Sequence, residues 1–242
     1  MNGKKKLLIV HGDKGGTGKS TLATAVAETL LTMYGGCCIV EGDAKISDVA
    51  TRFGRTQEVV GLLTNLARSD RVEEATISLF EQLEAQGDAA RHVVINTPAS
   101  ASDTLDKNAE LFVPVAHEMG YAIHVAWLVA DDTEGIDLSA QSALCAAADL
   151  KVAVVNAAKT SPTRGPWTRA DARRLWVESG GREAILPALT ERAMAVMRET
   201  GERPFVLSQP DGGQSIVLRQ VFKNWLRDCA AGPCSAFIGD EG

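Results

Sequence analysis

The chain is poor in the features that would assign it to several large classes. Aromatic residues make up 5% of 242 residues, too few for a surface built to stack many bases. Its cysteines, Cys37, Cys38, Cys145, Cys229 and Cys234, are odd in number and contain no C-x-x-C pair. They describe neither a disulfide framework nor a zinc site and read as reduced thiols of a cytoplasmic protein. Long apolar runs are missing as well. The opening MNGKKKLLIV has a basic start, but His11, Gly12, Asp13 and Lys14 interrupt its apolar run at Val10, short of the h-region of a signal peptide. YAIHVAWLVA (121–130) is about half the length that spans a bilayer. No excess of positive charge marks the whole chain as a polyanion binder, because the net charge is −6.

What is present is an ordinary globular composition, with 45% apolar and 23% charged residues, and length enough for a substantial core. Charge is unevenly distributed. Residues 1–158 hold 13 basic and 21 acidic side chains, whereas residues 159–228 hold 12 basic and 8 acidic. A local basic face in the C-terminal third is therefore expected.

Short, continuous apolar runs recur at 7–10, 37–40, 93–95, 122–129, 152–155 and 184–186. Continuity, as opposed to alternation, indicates strands buried on both faces. Between them lie helix-like segments. In 19–33, Leu22, Val26, Leu30 and Met33 share a face. The segment 76–87 ends at Gly87, and 102–120 carries Pro114 as an expected kink or break. Strand and helix in alternation imply one doubly wound, mostly parallel α/β sheet with helices on both faces. Residues 1–228 are expected to form this domain and 229–242 a loose tail.

The loop after the first strand reads GDKGGTGKST (12–21). Gly15, Gly16 and Gly18 let successive N–H groups point inward at phosphate oxygens, and the helix starting at Lys19 adds its positive end. Lys19 can reach the outer phosphates and the Ser20 hydroxyl can ligate Mg²⁺. The strict pattern G-x-x-x-x-G-K-[ST] would put glycine where Asp13 stands, and an extra lysine, Lys14, follows it.

KGGTGKST resembles the deviant Walker A loop, K-G-G-x-G-K-[ST], of the ParA/MinD family of ATPases. The resemblance implies a P-loop NTPase fold of the SIMIBI type, with ATP and Mg²⁺ as cofactors and an ATP-dependent homodimer. Lys14 then matches the signature lysine that crosses the dimer interface to the partner's phosphates, a charge-offsetting role like that of an arginine finger. It also implies nucleotide contacts from Lys14, Gly15, Gly16, Thr17, Gly18, Lys19, Ser20 and Thr21. Asp13 has no matching role, and an acid so near phosphate needs a partner, with Lys14 as one candidate.

The resemblance extends along the chain with departures. IVEGDAKISD (39–48) stands where the family has D-x-D-P-Q, with Glu41 at the first acid and Asp43 at the second. Asp43 is thereby the carboxylate that lies near Mg²⁺ and orients the attacking water. Such an Asp can equally cap a helix, with Ser47 and Asp48 as rivals. HVVINTPAS (92–100) puts Asn96 at the place of the Walker B acid, where it can bond a metal-bound water but supplies no charge. Slow hydrolysis or weak Mg²⁺ binding is the expected consequence. Asn156, ending VAVVN, resembles the residue that reads the adenine edge, although a terminal Asn can also simply cap its strand. Pro187 falls where the backbone passes the base.

Two segments invite partners. Residues 159–182 hold Lys159, Arg164, Arg169, Arg173, Arg174 and Arg182 around Trp167 and Trp176. The four central arginines are candidates for DNA binding without sequence preference; a solvated helix face over two buried tryptophans is the alternative. The amphipathic helix 215–228 could hold a membrane as in MinD, but the acidic GDEG that follows favours docking onto the sheet. The functional expectation is a nucleotide-controlled switch acting on DNA or a partner protein in plasmid maintenance, partition or conjugal transfer. Its rivals are a small-molecule ATP-dependent enzyme of the dethiobiotin synthetase kind, and an interaction module with little hydrolysis.

Overall fold

The structure is a computed structural model that describes residues 4–43, 48–67, 71–99 and 101–239, apart from the side chain of Asp103. Seven strands, β1 (Lys5–His11), β2 (Cys37–Glu41), β3 (Val59–Leu63), β4 (His92–Asn96), β5 (Tyr121–Val129), β6 (Leu150–Asn156) and β7 (Arg182–Leu186), form one sheet in the order β3-β2-β4-β1-β5-β6-β7. All neighbouring pairs are parallel. This is the doubly wound sheet expected from the alternation of apolar runs and helical segments.

The continuity of those runs follows from the two layers they serve. On β1, Leu8 and Val10 enter one core layer and Leu7 and Ile9 the other. The first layer packs α1 (Lys19–Tyr34), α2 (Asp48–Phe53), α9 (Glu191–Thr200), α10 (Pro204–Ser208), α11 (Ile216–Cys229) and α12 (Ser235–Ile238) through residues such as Val26, Phe53, Met197, Leu207, Phe222 and Phe237. The second packs α3 (Val72–Gln86), α4 (Ser102–Leu105), α5 (Ala109–Glu118), α6 (Thr133–Ser139), α7 (Ala143–Ala147) and α8 (Asp171–Glu178). Trp127, Trp167 and Trp176 are all buried there. The pair near the basic stretch therefore belongs to the core.

Four elements differ from the sequence reading. β3 is absent from it, although VVGLL is apolar. As an edge strand it is only half-buried, and Gly61 interrupts the run. Pro114 lies inside α5 without ending it, and the break falls earlier, between α4 and α5. Met33 lies off the buried face of α1 at 58% exposure. Residues 229–239 are no loose tail. They continue as a π-helical turn, Ala230–Cys234, and then α12, with Cys229, Cys234, Phe237 and Ile238 buried in the first core layer. Apolar residues at this spacing found a groove to fill, which a terminal position in the chain does not reveal.

The helix 215–228 docks as expected. Leu218, Phe222 and Trp225 of α11 are buried, and Trp225 Nε1 donates to the carbonyl oxygen of Pro187 at 2.9 Å. Val217 of the same helix is 75% exposed. Among the described residues no helix is long and apolar enough to cross a membrane. All five cysteines are free and buried.

Candidate functional site

Because every strand is parallel, the segments that follow β1, β2, β4, β5, β6 and β7 emerge at one edge of the sheet, where ligands of such folds collect. A cavity of about 870 Å³ lies there. It is lined from the first loop by Gly15, Gly16, Gly18, Lys19, Ser20 and Thr21, and from the other strand ends by Asp43, Asn96, Asn156 and Pro187. Ten of the candidate nucleotide and metal residues thus meet in one place, joined by Lys159 of the basic stretch. Lys14 and Thr17 do not line it, and neither do Arg164, Arg169, Arg173 and Arg174.

The loop is built by its own contacts. Gly18 has φ +109, and a Cβ there would stand 2.3 Å from Asn156 Nδ2. Only glycine meets both demands. The Asn156 amide donates to the Thr17 carbonyl at 2.7 Å, and its Oδ1 accepts from the Ala158 N–H at 3.0 Å. Each amide atom retains one further site, but its first use is to clamp the loop to the end of β6. The Thr17 hydroxyl donates to the Lys14 carbonyl at 3.3 Å. Lys19, seated in the first turn of α1, turns back to donate to the carbonyls of Gly12 and Lys14 at 3.0 and 2.8 Å. Burial pulls its pKa down to about 8, with Asp13 opposing the shift. A buried ammonium short of anions is a binding site for one.

Lys14 points elsewhere. It donates to Asp132 at 2.6 Å and lies 3.3 Å from Glu134, so the pairing with Asp13 does not occur. Its pKa is raised, first by the bond to Asp132. Asp132 also caps α6, accepting from Gly135 N at 3.0 Å. Asp13 instead accepts a hydrogen bond from Ser102 Oγ of α4. Neither acid–lysine contact was visible in the sequence, though D-x-x-G at the start of α6 carried the cap signal.

The polar residues that end β2 and β4, Glu41 and Asn96, divide their roles unexpectedly. Glu41, fully buried, accepts at Oε1 from Val49 N at 2.6 Å and Ala50 N at 2.9 Å, and so caps α2. That removes the need for Asp43 or Asp48 as the cap of α2; Ser47 lies outside the described residues. Glu41 Oε2 accepts from Asn96 Nδ2 at 2.8 Å. Burial raises the Glu41 pKa, partly offset by these N–H donors. Asn96 Nδ2 also approaches Ser20 Oγ at 3.3 Å, while Asn96 Oδ1 is buried with no hydrogen-bond partner among the described residues.

Would these residues suit Mg²⁺? A hydroxyl, a carboxylate and an amide oxygen, from Ser20, Asp43 and Asn96, are the hard oxygen donors it takes. The unpartnered Oδ1 suits a metal-bound water, which donates. Among the described residues no cluster of three or more His, Cys, Asp or Glu could hold a metal. The set therefore fits an ion held jointly with phosphate oxygens. The cavity is completed by Leu186, Leu189, Glu191, Met194 and Arg198. The sequence reading missed all five: Leu186 ends β7, Leu189 lies in the loop after it, and Glu191, Met194 and Arg198 belong to α9, an amphipathic helix that carries no binding signature.

A glycine-rich first loop running into G-K-S-T at the start of a helix, on a parallel sheet of this order, defines the P-loop architecture. No protein-family model and no curated protein matches the sequence. Solved structures do match in shape. MinD from Pyrococcus horikoshii, complexed with Mg-ADP, is 13% identical with a TM-score of 0.54, over 91% of this chain and 94% of that one. An ATP complex of McdA from Cyanothece gives 13% and 0.55, over 95% and 98%. A ParA-family ATPase from Chlorobium tepidum gives 12% and 0.54, over 92% and 99%. The chain has the fold of the ParA/MinD ATPases along nearly its whole length.

Proposed function

We propose that the protein is a ParA/MinD-like ATPase that binds ATP with Mg²⁺ at this cavity, closes into a homodimer, and reopens on hydrolysis. The observation that carries the reading is the division of labour between the two loop lysines. Lys19 lines the chain's own cavity, whereas Lys14 stands outside it with its side chain 46% exposed. A lysine in that position offsets phosphate charge only in a second copy. The MinD relative's Mg-ADP and the McdA relative's ATP support the choice of ligand.

In this reading the N–H groups of residues 15–21 hold the phosphates, with Thr17 contributing through its backbone. Mg²⁺, when bound, would neutralise phosphate charge, and Ser20, Asp43 and Asn96 would hold it, the last two through water. Asp43 orients the attacking water. Asn96 brings no charge, so turnover is slow. Pro187, fixed by Trp225, and Asn156 flank the base. The ATP-bound dimer engages a partner protein or DNA, in plasmid maintenance, partition or transfer within the cytoplasm. Of the DNA candidates, Arg173 is paired with Glu183 and Arg174 with Asp171 and Glu178. That leaves Arg164 and Arg169, both exposed, as the stronger phosphate contacts. With Leu218, Phe222 and Trp225 docked in the core, α11 serves the domain in this reading and not a membrane.

Calorimetric titration with Mg-ATP tests the nucleotide reading. Lys19→Ala abolishes binding and Lys14→Ala retains it; equal loss in both would contradict the division of roles.

A further inference from the structure

Glu41 and Asn96 end adjacent strands and face each other in register across the β2–β4 pair. A carboxylate, which position 96 lacks, stands one strand away. Three N–H groups hold it: two from the start of α2, and the Asn96 amide. An ionised carboxylate only accepts, so the amide nitrogen must face Glu41. That same nitrogen reaches Ser20 Oγ at 3.3 Å, and the carbonyl oxygen is left buried and unpaired among the described residues. A carboxylate at position 96 would accept from Ser20. The amide donates to it instead, and Glu41 stands behind the amide, two hydrogen bonds from the hydroxyl.

We propose that Glu41 is the positioning residue of the metal pocket, acting through Asn96. It locks the amide so that Oδ1 accepts from a water on Mg²⁺ and the Ser20 hydroxyl oxygen is held from behind. The inference rests on the reading of the cavity as a Mg-nucleotide site. Outer partners that orient metal ligands are worth about 10–100-fold in metal affinity, so Glu41 should matter on that scale. A purely structural role, as the cap of α2, would leave metal binding untouched.

Glu41→Gln separates the two roles. The glutamine oxygen can still accept from Val49 and Ala50, which preserves the cap. Its NH₂ group would oppose the Asn96 nitrogen, so the Asn96 amide turns over and Oδ1 is taken up. Binding of N-methylanthraniloyl-ADP is titrated in EDTA and in Mg²⁺, with thermal melting of each apo variant alongside. The expected result for Glu41→Gln is unchanged affinity in EDTA and a gain on adding Mg²⁺ that is smaller by about tenfold or more. The exchanged pair, Glu41→Gln with Asn96→Asp, restores a carboxylate facing an amide donor and recovers the Mg²⁺ gain. It carries the test if the single variant does not fold. Asn96→Asp alone sets two carboxylates against each other and falls short of the double variant.

A wild-type Mg²⁺ gain in Glu41→Gln overturns the role of Glu41, as does a double variant no better than the single one. Absence of nucleotide binding by the unaltered chain overturns the nucleotide reading itself, and this inference with it.

Discussion

Lys14 and Asp132 meet at 2.6 Å although 118 residues separate them in the chain. The contact ties the first loop to the start of α6 and turns the ammonium away from the chain's own cavity. Asp132 serves Lys14 through Oδ1 and the α6 cap through Oδ2. In the proposed switch Lys14 reaches a second copy only once this pair opens, so Asp132 and Glu134 would oppose dimer closure. Asp132→Asn keeps an acceptor for Gly135 and removes the charge. The expected result is Mg-ATP-dependent dimerisation at lower protein concentration. The melting temperature should move by no more than about 2 °C, because exposed ion pairs contribute little to stability. Unchanged or weaker dimerisation would show that the pair is no restraint.

Gly18→Ala is the sharpest test of the loop. The new Cβ would fall 2.3 Å from Asn156 Nδ2 at φ +109, so the loop must leave its clamp on β6. Nucleotide affinity is expected to fall by at least about tenfold while far-UV circular dichroism is unchanged, since the strain is local. Wild-type affinity would mean that the Asn156 clamp does not shape the site.

His11 gives the fold a defined acid sensitivity. It is fully buried beneath the loop, its ring edge against Trp127 at 4.8 Å, and burial lowers its pKa from 6.5 to about 3. The folded state therefore resists a proton that the unfolded chain accepts. Stability from this group is complete above pH 6.5. It is lost as pH falls toward 3, at about 1.4 kcal/mol per pH unit. Urea denaturation at pH 7 and pH 4.5 should show the loss in the wild type and a flatter dependence in His11→Asn. Parallel pH profiles would contradict the assignment.

The C-terminal segment is integral to the core. Phe237 is wholly buried in the first core layer, where α12 packs on β1, β5, β6 and β7, and Phe237→Ala should cost about 3 to 5 kcal/mol. Urea titration reads this directly; a loss under 1 kcal/mol would return residues 229–239 to a loose appendage.

Much of this architecture could be read from residues alone, for physical reasons. A strand covered on both faces must be apolar throughout, which exposed β1, β2, β4, β5 and β6; β7, the other edge strand and mostly exposed, was legible only through its short apolar run at 184–186. The loop at 12–21 was legible because phosphate geometry restricts its residue types. β3 was missed because an edge strand has weaker burial demands. Asp132, Ser102 and the relay from Glu41 to Asn96 were hidden because each joins residues on different elements, and single acids carry no label for their partner. Glu41 was legible as an acid after β2 but not as the cap of α2.

Molar mass in solution, measured by light scattering with Mg-ATP and with Mg-ADP for the wild type and Lys14→Ala, tests the central claim most directly. The account predicts a dimer for the wild type in Mg-ATP, and a monomer both in Mg-ADP and in the Lys14→Ala variant under either nucleotide. A wild-type monomer under both nucleotides, or a Lys14→Ala dimer in Mg-ATP, would contradict it.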